Sequence, residues 1–143
     1  MNDTQVRPAT HQLDDRLEIH ELLSRYYIAV DEHDADAWVA LWTEEGVFDS
    51  GYLHLEGRAQ LHQFMVGHDV QTRHLVTNVR TEVQGDRALA ESYMLVVPRV
   101  GKPEVIATAH CRSELRKVDG RWKLTRHTYK PDPSYVPSSS PSG

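Results

Sequence analysis

Two residues in this sequence are of the types that move protons and fall where a fold could bury them. Asp31 follows Leu23 by eight positions and Tyr27 by four, so it continues the apolar stripe of a helix and not its polar side. A carboxylate there is expensive to bury without a partner. Either it is paired, or it is a helix-end group turned towards solvent. His74 opens a strand-like run beside Leu75 and Val76. It is one of nine histidines, so an ordinary exposed strand-end residue is the plain alternative. A neutral imidazole can take a proton near neutral pH, and a carboxylate on its other nitrogen fixes the tautomer and stabilises the imidazolium. In a dry pocket, such a pair would abstract a proton next to a carbonyl, or one β to a leaving group.

The elements that must position these groups follow from periodicity. Asp14 or Asp15 can cap a helix. Leu17, Ile19, Leu22, Leu23, Tyr26, Tyr27 and Val30 then recur at helical spacing to about His33. Ala37, Trp38, Leu41 and Trp42 give a second, shorter apolar stripe that Gly46 breaks. Val47–Leu55 reads as a short strand or hairpin around Ser50-Gly51, and Gly57–Val66 as a helix. Three long strands come next: Arg73–Val83, Arg87–Val100 and Glu104–Val118. The turns Gln84-Gly85-Asp86 and Gly101-Lys102-Pro103 separate them, and Asp119-Gly120 leads into a last strand, Arg121–Tyr129. Helices first and antiparallel strands afterwards predict an α+β domain. The expected form is a cone-shaped α+β barrel, with N-terminal helices on a curved, mostly antiparallel sheet that encloses a pocket. Residues 1–12 read as a flexible lead-in, 13–132 as the domain, and 133–143 as a Pro/Ser-rich tail.

Composition narrows the function. The 143 residues include 39% hydrophobic and 26% charged side chains, with a formal charge of −5. The pI near 6.0 argues against a general nucleic-acid binder, and no polybasic segment is present for an anionic membrane. No apolar run approaches the ~20 residues a membrane helix needs. The single cysteine, Cys111, excludes an intramolecular disulfide and fits a reducing compartment, so the expected location is cytoplasmic. The sequence has no His-x-x-x-His or cysteine-pair metal motif, no Gly-rich phosphate loop and no nucleophile-elbow string. The expectation is therefore no metal and no cofactor.

The strings Tyr26-Tyr27-Ile28-Ala29-Val30-Asp31, Asp36-Ala37-Trp38, Thr72-Arg73-His74-Leu75-Val76-Thr77-Asn78 and Val118-Asp119-Gly120-Arg121-Trp122-Lys123-Leu124 resemble the SnoaL-like branch of the nuclear transport factor 2-like superfamily. Scytalone dehydratases, bile-acid 7α-dehydratases and gamma-hexachlorocyclohexane dehydrochlorinases are among its members. The resemblance spans roughly Leu13 to Asp132. It implies that Asp31 and His74 form an acid–base dyad inside the pocket and that Tyr26, five residues before the Asp, joins them. Positions that carry further contacts in relatives fall here on Ser50, with Tyr52 nearby, and on Tyr93 and Cys111. A basic residue near the end of the domain, Arg126 or Lys130, would be a substrate contact. Trp38, Trp42, Phe48 and Phe64 read as core before ligand wall, with Phe48 and Trp42 the better wall candidates of the four. Cys111 reads as a small packing residue and not a nucleophile.

The expected function is a cofactor-independent lyase of the dehydratase type acting on a small, hydrophobic hydroxy-carbonyl compound. His74 would be the base, Asp31 would orient it, and Tyr26 would polarise the substrate. Two other readings keep the fold. In one, a polyketide cyclase or ketosteroid-isomerase-like enzyme uses Asp31 itself as base. In the other, the domain binds a small ligand or a protein without chemistry. Self-association as a homodimer or homotrimer is expected, because Ala88, Leu89, Met94 and Val96 are too apolar to leave an uncovered sheet face wet.

Overall fold

In a computed structural model that describes residues 9–133, the chain forms three helices and six strands. Helix α1 spans Ala9–Asp31, α2 Ala35–Val39 and α3 Gly57–Val66. The strands are β1 Trp42–Asp49, β2 His54–Glu56, β3 Thr72–Gln84, β4 Arg87–Pro98, β5 Ala107–Val118 and β6 Arg121–Pro131. They form one mixed, open sheet in the order β2-β1-β6-β5-β4-β3. All neighbouring pairs are antiparallel except β1 with β6. The α+β cone expected from the order of elements is therefore present, with the helices packed on a six-stranded sheet.

Helix α1 supplies the core through one face. Ile19, Leu23, Tyr26 and Tyr27 are buried, and the four-residue step from Leu23 through Tyr27 brings Asp31 onto the same face. The helix begins at Ala9, upstream of the expected Asp14 or Asp15 cap. Asp15 has a different task. It is buried and accepts hydrogen bonds from Trp122 Nε1 (3.0 Å) and Lys117 Nζ (2.8 Å), which ties α1 to the β5–β6 hairpin. Glu18 adds a bond from the Trp122 backbone N–H at 2.9 Å. Past Asp31 the helix ends through His33, which adopts φ 58°, and Asp34 caps α2 by accepting from Ala37 N at 3.0 Å.

Two sequence expectations shift here. Trp42 does not belong to the second helix, because α2 stops at Val39 and Trp42 opens β1. Gly46 does not end a helix either. It lies inside β1, where the pairing with β6 slips between Trp42 and Val47. A Cβ on Gly46 would meet Trp42 Cε3 at 2.5 Å, so the glycine lets the indole pack flat against the strand. The first eight residues of the expected lead-in and nearly all of the tail lie outside the described residues, and positions 9–12 are helical.

Two irregularities in the long strands set which side chains face the helices. In β3 the pairing with β4 slips between Thr77 and Arg80, around Asn78 at φ 54°. In β6 the pairing runs Leu115↔Leu124 and then Glu114↔Arg126, which leaves Thr125 as an extra residue. Strict alternation from Trp122 and Leu124 would aim Arg126 inward. The bulge reverses the phase, so His127 is buried and Tyr129 joins the core side. On β4, Ala90, Ser92, Met94 and Val96 are buried, so Met94 and Val96 are not on the open face as expected. The exposed apolar groups on and beside that face are Leu75, Tyr93, Val105 and Ile106.

Candidate active site

Asp31 and His74 meet at the mouth of the cone. His74 Nδ1 lies 2.7 Å from Asp31 Oδ1, and the His74 backbone N–H donates to Asp31 Oδ2 at 2.9 Å. The end of α1 and the start of β3 thus clamp each other through one carboxylate. The Asp31 side chain is 6% exposed and that of His74 16%, so the pair is largely dry, with the ring edge open to a cavity. With Nδ1 facing the carboxylate, Nδ1 carries the hydrogen and Nε2 is left as the acceptor. Tyr27 lies against the imidazole, with ring centroids 5.4 Å apart and planes 21° apart.

The cavity has a volume of about 290 Å³, at the small end of ligand pockets. Its wall is mostly apolar and aromatic: Tyr26, Val30, Trp38, Phe48, Phe64 and Met65 are among the lining residues, with His74 on one side. Tyr52 lies at the rim and is 88% exposed. Ser50 also reaches the wall.

Behind Tyr27 runs a buried polar chain. The Tyr27 hydroxyl lies 3.0 Å from His127 Nε2 and donates to Cys111 Sγ at 3.6 Å. His127 Nδ1 lies 2.9 Å from Ser113 Oγ. His127 is wholly buried, and loss of solvent pulls its pKa down to about 3, so the ring is neutral at ordinary pH. Burial also pushes the Cys111 thiol up to about 11 and both the Tyr26 and Tyr27 phenols well above their ordinary range. These are uncharged hydrogen-bonding groups, not standing nucleophiles.

The expected site residues divide accordingly. Asp31, His74, Tyr26, Phe48 and Tyr52 come together around the cavity. Trp42 does not: it is fully buried against Tyr26 and Trp38 and belongs to the core. Tyr93 points away, because its neighbours Ser92 and Met94 take the inward positions, and it lies on the outer face beside His110, 5.9 Å between centroids. Cys111 faces inward but sits behind the Tyr27 hydroxyl and does not line the cavity. Arg126 is turned out by the β6 bulge and pairs with Asp49 at 3.2 Å, and Lys130 is exposed.

Several lining residues are not among those expected from the sequence, and Tyr27, His127 and His68 are the ones that bear on the chemistry. His68, in the loop after α3, joins the wall with its Nε2 buried and without a hydrogen-bond partner. Burial, helped by His33 and His74, holds its pKa below the ordinary value. Tyr27 could have been found from the stripe, being four residues before Asp31. His127 carried no such signal, since the bulge that turns it inward leaves no mark in the alternation. Among the described residues, no group of three or more His, Cys, Asp or Glu side chains is arranged to hold a metal ion. No helix among them is long and apolar enough to cross a membrane.

The SnoaL-like domain model matches residues 11–128. Among solved structures, a protein of unknown function with a cystatin-like fold from Nostoc punctiforme is similar, with TM-score 0.79 and 27% identity over 85% of this chain and 94% of that one. A nuclear transport factor 2-like protein with a cystatin-like fold from Novosphingobium aromaticivorans gives TM-score 0.81 and 26% identity over 91% and 90%. A type 2 hexachlorocyclohexane dehydrochlorinase gives TM-score 0.75 over 87% and 89%, and at 19% identity it speaks for the fold alone. Among curated proteins no sequence match is found.

Proposed function

The chain belongs to the SnoaL-like domain family, and within that family we propose that it is a lyase of the dehydratase type whose acid–base pair is His74 and Asp31. The observation that carries this reading is the pair of hydrogen bonds that Asp31 accepts from the His74 ring and backbone at the cavity wall. His74 Nε2 takes a proton from the carbon next to the substrate carbonyl, giving an enolate, and Asp31 stabilises the resulting imidazolium. The C–O bond at the β carbon then breaks, and the imidazolium returns its proton to the departing hydroxide. The products are water and an α,β-unsaturated carbonyl compound, and no external oxidant or reductant is required. Tyr26, on the wall, is the donor towards the carbonyl oxygen.

The reading in which Asp31 itself is the base is less well supported. Both of its oxygens are already occupied by His74 N–H groups, so proton transfer to it would break the clamp. A purely ligand-binding role would need only the clamp between α1 and β3, which the backbone bond to Asp31 already supplies, and would not call for the second bond, to the ring that faces the cavity.

The test is proton exchange and elimination on a panel of small cyclic β-hydroxy ketones in D2O, followed by proton NMR. Deuterium at the α carbon together with new vinyl protons is expected. If neither appears across the panel while the same ketones bind, the domain is a carrier.

A further inference from the structure

We propose that His127 makes this cavity selective for uncharged ligands, so that the substrate portion entering it carries no carboxylate or phosphate. The proposal rests on the reading of the cavity as the substrate site and adds the chemical class of what it admits. No Lys, Arg, Asp or Glu is among the described residues that line the cavity. The inward position on β6, where a cation could have faced an anionic ligand, is held by His127. Its two ring nitrogens are engaged by Tyr27 and Ser113 within the core. The two neighbouring basic residues of the strand are turned away, Arg126 onto Asp49 and Lys130 into solvent.

The dyad reinforces this. The Asp31 carboxylate lies directly behind His74, so an anion entering the cavity approaches a second carboxylate, with no Lys or Arg among the described lining residues to offset it. Its own desolvation is then uncompensated. A neutral carbonyl or hydroxyl compound meets neither cost. It finds phenol and imidazole groups as hydrogen-bond partners and an aromatic wall for the remainder.

The test is binding and not turnover, so it is separable from the dyad mechanism, which stands or falls on rates. Tryptophan fluorescence and calorimetry would compare 2-naphthol with 2-naphthoate at pH 7.5. Naphthol is expected to bind at least tenfold more tightly to the wild-type protein. His127→Gln, which stays neutral, is expected to keep that preference. His127→Arg is expected to erase or invert it. Should the arginine variant fail to fold, Tyr129→Lys introduces a cation on the same side of β6, nearer solvent, and is expected to act in the same direction. Equal affinity of the two probes for the wild-type protein, binding of neither probe, or a preference untouched by the folded cationic variant would overturn the proposal. Loss of the preference in a folded His127→Gln variant would overturn it as well, since neutrality would then not be the cause.

Discussion

Tyr27 joins His74 and His127, two of the histidines that line the cavity, by different means, stacking its ring on His74 at 5.4 Å and placing its hydroxyl 3.0 Å from His127 Nε2. One side chain of α1 thus braces the proposed base from the side and closes a buried polar chain behind it. Strand β3 supplies the first histidine and β6 the second, strands at opposite ends of the β6-β5-β4-β3 run. The geometry of the site therefore depends on how α1 seats between them.

Removing the Tyr27 hydroxyl separates those two functions. Tyr27→Phe keeps the ring against His74 and leaves buried His127 short of a partner. The expected cost is about 1–3 kcal/mol in urea denaturation, the usual penalty for an unsatisfied buried group. Turnover is expected to fall by far less than on loss of His74. A loss of stability below ~0.5 kcal/mol would show that the bond to His127 contributes little net.

His127 should also leave a mark on acid stability. Its folded pKa of about 3 lies below the ordinary 6.5, so between those values the unfolded chain binds the proton and the folded chain does not. Stability from this group is fully present above pH 6.5 and is lost as pH falls towards 3, by up to about 1.4 kcal/mol per pH unit. Denaturation midpoints measured from pH 7 to pH 4 should fall more steeply for the wild-type protein than for His127→Gln. Parallel curves would mean that His127 is not held neutral by burial.

Gly46 tests the packing of the core beneath the site. A methyl group there would lie 2.5 Å from the Trp42 ring, and that ring is fully buried, so it has little room to retreat. Gly46→Ala is expected to cost roughly 1–3 kcal/mol through overpacking, measured by thermal unfolding. An unchanged midpoint would mean that β1 can shift away from the indole at no cost.

The parts of this account legible in the sequence are those carried by an unbroken period. The stripe from Ile19 through Tyr27 predicts α1 and puts Asp31 at its end, leaving open whether the carboxylate turns inward, and the Asp119-Gly120 turn, with φ 50° and 79°, marks the last hairpin. The likeness of the His74 string to the SnoaL-like pattern paired that histidine with Asp31, which spacing alone left open. What was not legible are the phase changes. Thr125 inserts one residue into β6 and exchanges Arg126 for His127 at the cavity, and nothing in Leu-Thr-Arg-His-Thr-Tyr announces it. Trp42 was misplaced for a related reason. Its spacing from Trp38 fits a helix, but the chain leaves α2 at Val39 and carries the indole into the core on a strand. Tyr93 was assigned by likeness to relatives, while strict alternation on β4 places it outside.

The most direct test of the central claim is the single-turnover rate of elimination on a confirmed β-hydroxy ketone for wild-type, Asp31→Asn and His74→Ala proteins, each checked by circular dichroism. Both variants are expected to stay folded and to lose on the order of 10²–10⁴ in rate, the range of a positioned general base. A folded His74→Ala variant that turned over at close to the wild-type rate would contradict the account.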